Sequence, residues 1–423
     1  MSVIASPRGR SNPLNQHGIA TSLALLAMTQ FEMNHLRHIL CLNSGSSSLK
    51  FALYRVAKDD EALLARGAVE RIGLDDGRLW FKLARRNLQS AENGVFPNHA
   101  AAVEATFARL DGLHLPLPDA IGHRVVHGGA EYSAPAPVDA KLLQTLKQLV
   151  SFAPLHLPSE IVCIEAVAAK YPSLPQVACF DTAFHRRMPE ITQRFPLPRA
   201  LWNEGVRRYG FHGLSYEYIM DAVGARPPSR LLIAHLGNGA SMAAVQDGIP
   251  LDTTMGFTPA GGFMMGTRTG DLDPGILVHL MRERGMDAAQ IETLLNNESG
   301  LMGVSGISPD MKTLLDERAL KPDAAQAVEM FCYHARKTIG ALAAALGGLD
   351  MFVFTGGIGE RAAPVRSMIC QGLTHLGIEI DEEKNLTHAD TISSAESACV
   401  VRVIPTNEDL VIARHTNDLI SNN

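Results

Sequence analysis

The chain has 423 residues, 46% of them hydrophobic and 19% charged, with a formal net charge of −6. That is the make-up of an ordinary globular protein, long enough for two domains of roughly 150 to 200 residues each and a cleft between them. The acidic balance and the lack of a basic block exclude a nucleic-acid surface, and no apolar run of about 18 residues is present to cross a membrane. Six scattered cysteines (Cys41, Cys163, Cys179, Cys332, Cys370, Cys399) form no Cys-x-x-Cys pair. They read as small core residues of a reduced, cytoplasmic compartment, with no disulfide and no structural zinc.

Residues 1–38 differ in character from the rest of the chain. A polar stretch with Arg8 and Arg10 precedes a mildly apolar run, residues 19–28, that is too short to span a bilayer. A secretory signal disagrees with the cysteine usage. The expectation is an N-terminal extension, disordered or weakly docked, or translation that begins at Met33, just before the first strand.

From residue 39 an apolar run enters the stretch Leu42-Asn-Ser-Gly-Ser-Ser-Ser-Leu-Lys50, after which apolar residues resume. The pattern predicts strand, turn, strand. Gly45 permits close approach, Asn43, Ser46, Ser47 and Ser48 offer small polar groups, and Lys50 adds positive charge. Such a turn suits a phosphate or metal-phosphate, and equally suits a plain connection. The Walker pattern is absent. Further on, a strand is expected at residues 78–83, a helix at 99–110 and a strand at 120–127 that ends in Gly128-Gly129. Alternation puts Arg124 and Val126 on one face and His123, Val125 and His127 on the other. A cation beside an apolar contact matches a small acid with a short tail, although a half-buried strand with one surface arginine reads the same way.

A helix from Ser159, with Glu160 near its start, runs to about Lys170, and the strand at residues 176–180 delivers Asp181 at its carboxyl end. Carboxyl ends of strands are where α/β proteins place chemistry, while an Asp there also serves as a helix cap. The second half repeats the theme. A buried strand at 230–236 meets the tight turn Gly237-Asn-Gly-Ala-Ser241 and a return strand at 242–246. A third unit runs from the strand at 351–355 through Gly356-Gly-Ile-Gly-Glu-Arg361 into a helix, whose first amides favour a nucleotide phosphate. Between them a helix is expected at 323–346, closed by Gly347-Gly348. Two similar hairpins in successive halves, with the third turn, point to a duplicated α/β domain clasping a nucleotide.

These motifs together resemble the acetate kinases, short-chain acyl kinases of the acetate/sugar kinase and actin-like ATPase superfamily. The resemblance runs from residue 39 almost to the end. It rests on Asn43-Ser-Gly-Ser-Ser-Ser-Leu-Lys50, Gly122-His-Arg-Val-Val-His-Gly-Gly129, Phe180-Asp-Thr-Ala-Phe-His185 and Tyr209-Gly-Phe-His-Gly213 in the first half. In the second half it rests on Ala234-His-Leu-Gly-Asn-Gly239, Met265-Gly-Thr-Arg-Thr-Gly-Asp271, Thr355-Gly-Gly-Ile-Gly-Glu360 and Thr406-Asn-Glu408. It implies two actin-like (ribonuclease H-like) α/β domains around a nucleotide cleft, residues 39–184 with 405–423 and residues 185–404, the second also the dimer side. It further implies a homodimer that phosphorylates acetate with ATP, giving acetyl phosphate and ADP.

Carried over position by position, the resemblance makes Arg124, Arg268, His212 and Asp181 catalytic. It puts Val126, Leu155 and Pro259 beside Arg124 in the acyl site, and Asn43 and Glu408 at a Mg²⁺ ion, for which Mn²⁺ is an alternative. Lys50, Ser46, Ser48, His235, Gly237, Asn238, Gly239, Gly356, Gly357, Ile358 and Gly359 are implied at the nucleotide. Planar arginine forks and hard oxygen ligands suit an in-line phosphoryl transfer that needs alignment and charge neutralisation. His185 is implied as either a positioning group for Asp181 or a structural residue. The chain departs from the family pattern at Thr269, Ala130-Glu131, Leu157 and Pro309. None removes a catalytic group, but Leu157, beside Leu155, leaves acetate and propionate or butyrate open as the acid. An actin-like ATPase that drives a protein partner is the rival from another class.

Overall fold

The computed structural model describes residues 36–57, 60–84 and 89–421. The extension expected over residues 1–38 lies, up to residue 35, outside the described residues. The first sheet holds β1 (Arg37–Gly45), β2 (Ser48–Ala57), β3 (Asp60–Glu70), β4 (Gly77–Leu83), β5 (Gln89–Gly94), β6 (Ala120–Val125), β7 (Ala136–Pro137) and β8 (Gln176–Phe180). Its order is β5-β4-β3-β2-β1-β6-β8-β7. The second holds β9 (Arg230–Leu236), β10 (Ala240–Gln246), β11 (Ile249–Thr253), β12 (Met351–Thr355) and β13 (Val400–Val403), in the order β11-β10-β9-β12-β13.

The repeat is legible in the pairing. In the first sheet β3-β2-β1 run antiparallel and β1-β6-β8 parallel; in the second β11-β10-β9 run antiparallel and β9-β12-β13 parallel. The β1–β2 hairpin therefore corresponds to β9–β10. Parallel neighbours need long crossovers, and helices supply them, as Leu157–Lys170 does between β6 and β8. The central strand β9 is buried on both faces, which is why residues 231–234 read as an unbroken apolar run.

The last helix, Glu408–Ser421, packs across the first sheet, with Val411, Ile412 and Ala413 against Ile39, Cys41 and Val177. Its approach is close enough that a Cβ on Gly122 would lie 2.4 Å from both Ile412 Cγ2 and Thr416 Oγ1, so only glycine fits there. The chain's end is thus returned to the first sheet and brings Glu408 to the carboxyl ends of β6 and β8. The largest hydrophobic cluster joins Val125, Leu157 and Phe180 of the first half to Leu232, Ala234, Phe331 and Phe354 of the second. The long helix Pro322–Leu346 buries Val328, Phe331, Cys332, Ala335 and Ile339 against the second sheet and ends at Gly347 in the left-handed region. All six cysteines are buried free thiols. Among the described residues no helix is long and apolar enough to cross a membrane.

Candidate active site

Both hairpin tips and the carboxyl ends of β6, β8, β12 and β13 open on one cavity of about 840 Å³, the size of a pocket for a nucleotide-sized ligand. Arg124 is its hub. The guanidinium donates from Nε to Asp181 Oδ1 (3.2 Å) and from Nη2 to Asp181 Oδ2 (2.5 Å), a bidentate fork. Its Nη1 donates to Asn43 Oδ1 (3.1 Å), and Glu408 Oε2 lies 4.0 Å from Nε. Burial works against the Arg124 charge, yet Asp181 and Glu408 hold its pKa above the ordinary value. For Asp181, 1% exposed, burial pushes the carboxyl up and the Arg124 fork pulls it back. The side chain of Asp181 is therefore committed to Arg124, not to a helix cap, and its backbone carbonyl accepts from Gly213 N (2.9 Å).

Arg268 stands differently. Its Nη1 donates to the carbonyl of Pro259 (3.2 Å), and its pKa is lowered to about 10, chiefly by burial and then by Arg124. Among the described residues no carboxylate forms an ion pair with it, so its charge is left for an anion in the cavity. The loop that carries Arg268 is pinned to the second hairpin, since Gly266 N donates to Asn238 O (2.9 Å).

His212 sits between the arginines. Its backbone is left-handed (φ 58°), an uncommon state for a residue with a side chain, at the start of helix Gly213–Val223. Gly213 is required after it, because a Cβ there would lie 2.2 Å from Asp181 O. The ring stacks on His235 with centroids 4.3 Å apart, and its Nδ1 meets Ser241 Oγ at 2.8 Å. Burial first, then His235, Arg124 and Arg268, lower its pKa well below the ordinary histidine value, so the ring is neutral. His235 is likewise lowered, to about 4, by burial and then Arg124.

Of the residues predicted from sequence, the cavity wall gathers Asn43, Ser48, Lys50, Arg124, Val126, Asp181, His212, His235, Gly237, Asn238, Gly239, Pro259, Arg268, Gly356, Gly357 and Glu408. Four others are not brought to it: Ser46, Leu155, Ile358 and Gly359. Ser46 is exposed at the two-residue turn beyond the end of β1. At residues 154–156 the chain turns, which ends strand-like alternation, and His156 rather than Leu155 faces the cavity. The helix starts at Gly356, earlier than a Gly-rich turn suggests. Its period then returns residues 356, 357, 360 and 361 to the cavity and turns Ile358 and Gly359 onto the core. A Cβ on Gly359 would lie 3.7 Å from Ala234 O and Leu236 Cβ. Leu157 is wholly buried in the hydrophobic core. His185 Nε2 pairs with Phe211 O (3.0 Å), a structural role with no contact to Asp181.

Sequence reasoning passed over several groups on the wall, among them Tyr54, Arg66, His156, Glu360, Asn407 and Asp409. Glu360 had a signal, its place four residues after Gly356. Its Oε1 accepts from Gly356 N and from Thr406 N, both at 3.1 Å, and so ties the third turn to the C-terminal segment. Glu160, noted only at a helix start, is fully buried behind Val126 and accepts from its N–H (3.1 Å).

A duplicated sheet whose hairpin tips and strand ends converge on paired cations, a buried carboxylate and a neutral imidazole defines a phosphotransferase of the actin-like build. The chain belongs to the acetokinase family, whose model matches residues 38–414. It is 46% identical over 390 residues to an acetate kinase of Rhodopseudomonas palustris, covering 89% of this chain and 97% of that one. A Methylocella silvestris acetate kinase is 44% identical over 402 residues, covering 91% and 98%. Among solved structures, a Porphyromonas gingivalis acetate kinase superposes with a TM-score of 0.81 at 38% identity, covering 91% of this chain and 100% of that one. A Francisella tularensis propionate kinase gives 0.85 at 36% identity, covering 90% and 99%. The chain is thus a kinase whose acceptor is a carboxylate.

Proposed function

We propose that the chain transfers the γ-phosphoryl group of ATP to acetate, reversibly and in line, giving acetyl phosphate and ADP. The observation that carries this reading is the presence of Arg124, Arg268 and His212 on the wall of one cavity that Val126 and Pro259 also line. A loose phosphoryl transition state spreads charge over its equatorial oxygens, and catalysis consists of aligning two anions and meeting that charge with fixed donors. Arg268, without a carboxylate partner, receives anion charge. Arg124, oriented by Asp181 and Asn43, holds the acyl carboxylate against it. His212 donates as a neutral N–H.

The oxygens of Glu408 and Asn43 suit a hard divalent cation. Mg²⁺ is commonly held by one or two carboxylates with water and phosphate completing its shell, and Glu408 with Asn43 would hold it in that way. When bound, that ion neutralises phosphate charge. The glycines of the second hairpin and of the helix Gly356–Arg361, with Lys50, Ser48 and His235, receive the nucleotide. The two domains in this reading are residues 39–184 with 405–423 and residues 185–404, and the enzyme works in the cytoplasm as a homodimer.

Hydroxylamine trapping of acyl phosphate, with ATP, Mg²⁺ and a panel of acids, tests the reading. Acetyl hydroxamate should form in step with ADP. ATP hydrolysis with no hydroxamate from any acid would refute it and favour the partner-driven ATPase. A propionate preference within the same chemistry is the second reading, favoured by the likeness to the Francisella tularensis propionate kinase.

A further inference from the structure

Two buried polar groups stand in line behind His212 of the cavity wall. Tyr216 Oη lies 2.5 Å from Ser241 Oγ, and Ser241 Oγ lies 2.8 Å from His212 Nδ1. Tyr216 and Ser241 are both 0% exposed. Ser241 is on β10, opposite His235 in the register with β9, so its side chain rises on the same face as the stacked imidazoles. The Tyr216 ring is wedged against Phe184 and His185, with centroids 5.6 Å from each, which aims its hydroxyl at Ser241.

The direction of these hydrogen bonds is set by the number of protons available. Among the described residues Tyr216 Oη has one partner, Ser241 Oγ, and Ser241 Oγ has two, Tyr216 and His212. If His212 Nδ1 carried a proton and donated it to Ser241, one of the two hydroxyls would have nowhere to place its own. Either Ser241 would donate to Tyr216 and orphan the phenol proton, or Tyr216 would donate to Ser241 and orphan the serine proton. A buried donor left without an acceptor costs about 1–3 kcal/mol. One arrangement satisfies every group: Tyr216 donates to Ser241, Ser241 donates to Nδ1, and the imidazole proton resides on Nε2. Burial keeps the phenol protonated and keeps the imidazole neutral, which this arrangement requires.

Nε2 is the nitrogen on the cavity side. A Cβ placed on Gly239 would lie 3.4 Å from His212 Nε2 and 3.5 Å from Arg268 Nη1, so both donors flank the same spot beside the second hairpin tip. We propose that Tyr216 and Ser241 are positioning residues, a one-way relay that fixes His212 as the Nε2-protonated tautomer and so makes it a hydrogen-bond donor to the group transferred in the cleft. The claim about transfer rests on the reading of function above; the claim about the tautomer does not.

The test is ¹⁵N-detected NMR of the full chain labelled at histidine, assigned with His212→Gln, alongside steady-state kinetics. The unaltered protein should show His212 protonated at Nε2 and bare at Nδ1. Ser241→Ala should lose that single tautomer and lower kcat on the order of 10²-fold, as loss of one preorganised donor does, with KM for ATP and acid nearly unchanged. Tyr216→Phe, which keeps the ring, should give a smaller fall in kcat and a mixed tautomer. A His212 protonated at Nδ1 in the unaltered protein would overturn the proposal, and so would a Ser241→Ala protein that keeps both tautomer and kcat. If the tautomer behaves as stated but no acid yields acyl phosphate, the relay stands and the functional reading falls.

Discussion

Replacing Glu160 by Gln should remove a pH-dependent load on the fold. Glu160 is 2% exposed, Oε2 accepts from Val126 N, and Oε1 has no protein partner among the described residues. Burial raises its pKa from the ordinary 4.5 to about 8, against the opposing pull of Arg124 and of the Val126 N–H. Proton binding in the two states sets the sign. Below about pH 4.5 folded and unfolded chains both hold the proton, and the group contributes no slope. Between about 4.5 and 8 the unfolded chain has lost it while the folded chain keeps it, so stability falls by about 1.4 kcal/mol for each pH unit. Above about 8 both are ionised and the slope vanishes. The loss across the window is several kcal/mol, on the order of a domain's whole stability. Gln keeps the shape and the acceptor for Val126 but does not titrate. Urea unfolding of both proteins at fixed pH from 5 to 9 measures the difference, and titrating groups remote from Glu160 cancel in the comparison. The variant should gain on the parent steadily from pH 5 to 8 and then run parallel to it. Parallel curves across the whole range would refute the assignment of Glu160 as a buried, protonated acid.

Arg124→Ala and Arg268→Ala should each lower acetyl phosphate formation by on the order of 10³-fold, by analogy with other phosphoryl-transfer arginines. Circular dichroism should show both folded, and near-normal turnover in either would remove that residue from the site. Val126→Ala should raise kcat/KM for propionate relative to acetate within the roughly 10- to 200-fold that one methylene commands; an unchanged ratio would move the acyl pocket elsewhere. Removing residues 1–32 should leave active enzyme, because β1 begins at Arg37 and the family match at residue 38. Loss of folding in that truncation would show that the segment packs on the core.

The hairpins, the buried central strands and the strand ends that carry Arg124 and Asp181 were legible in the sequence, because period-two patterning, glycine turns and unbroken apolar runs are local consequences of local chemistry. So was the motif set that marks the family. What local pattern does not encode is which side of a turn faces inward. Leu155 and His156 are neighbours, and only the packing of the turn gives the cavity to His156. Gly359 and Glu360 are neighbours too, and the helix start at Gly356 sends one to the core and the other to Thr406. Long-range pairing is likewise invisible along the chain. Glu408 meets Arg124 only because the last helix folds back over Gly122, and Ser241 reaches His212 only because the helix Gly213–Val223 packs its Tyr216 and Ile219 on β9 and β10. Residue types fixed which groups were able to do the chemistry. Tertiary structure decided which are buried together, and burial sets whether a carboxyl such as Glu160 is charged and whether a ring such as His212 is neutral.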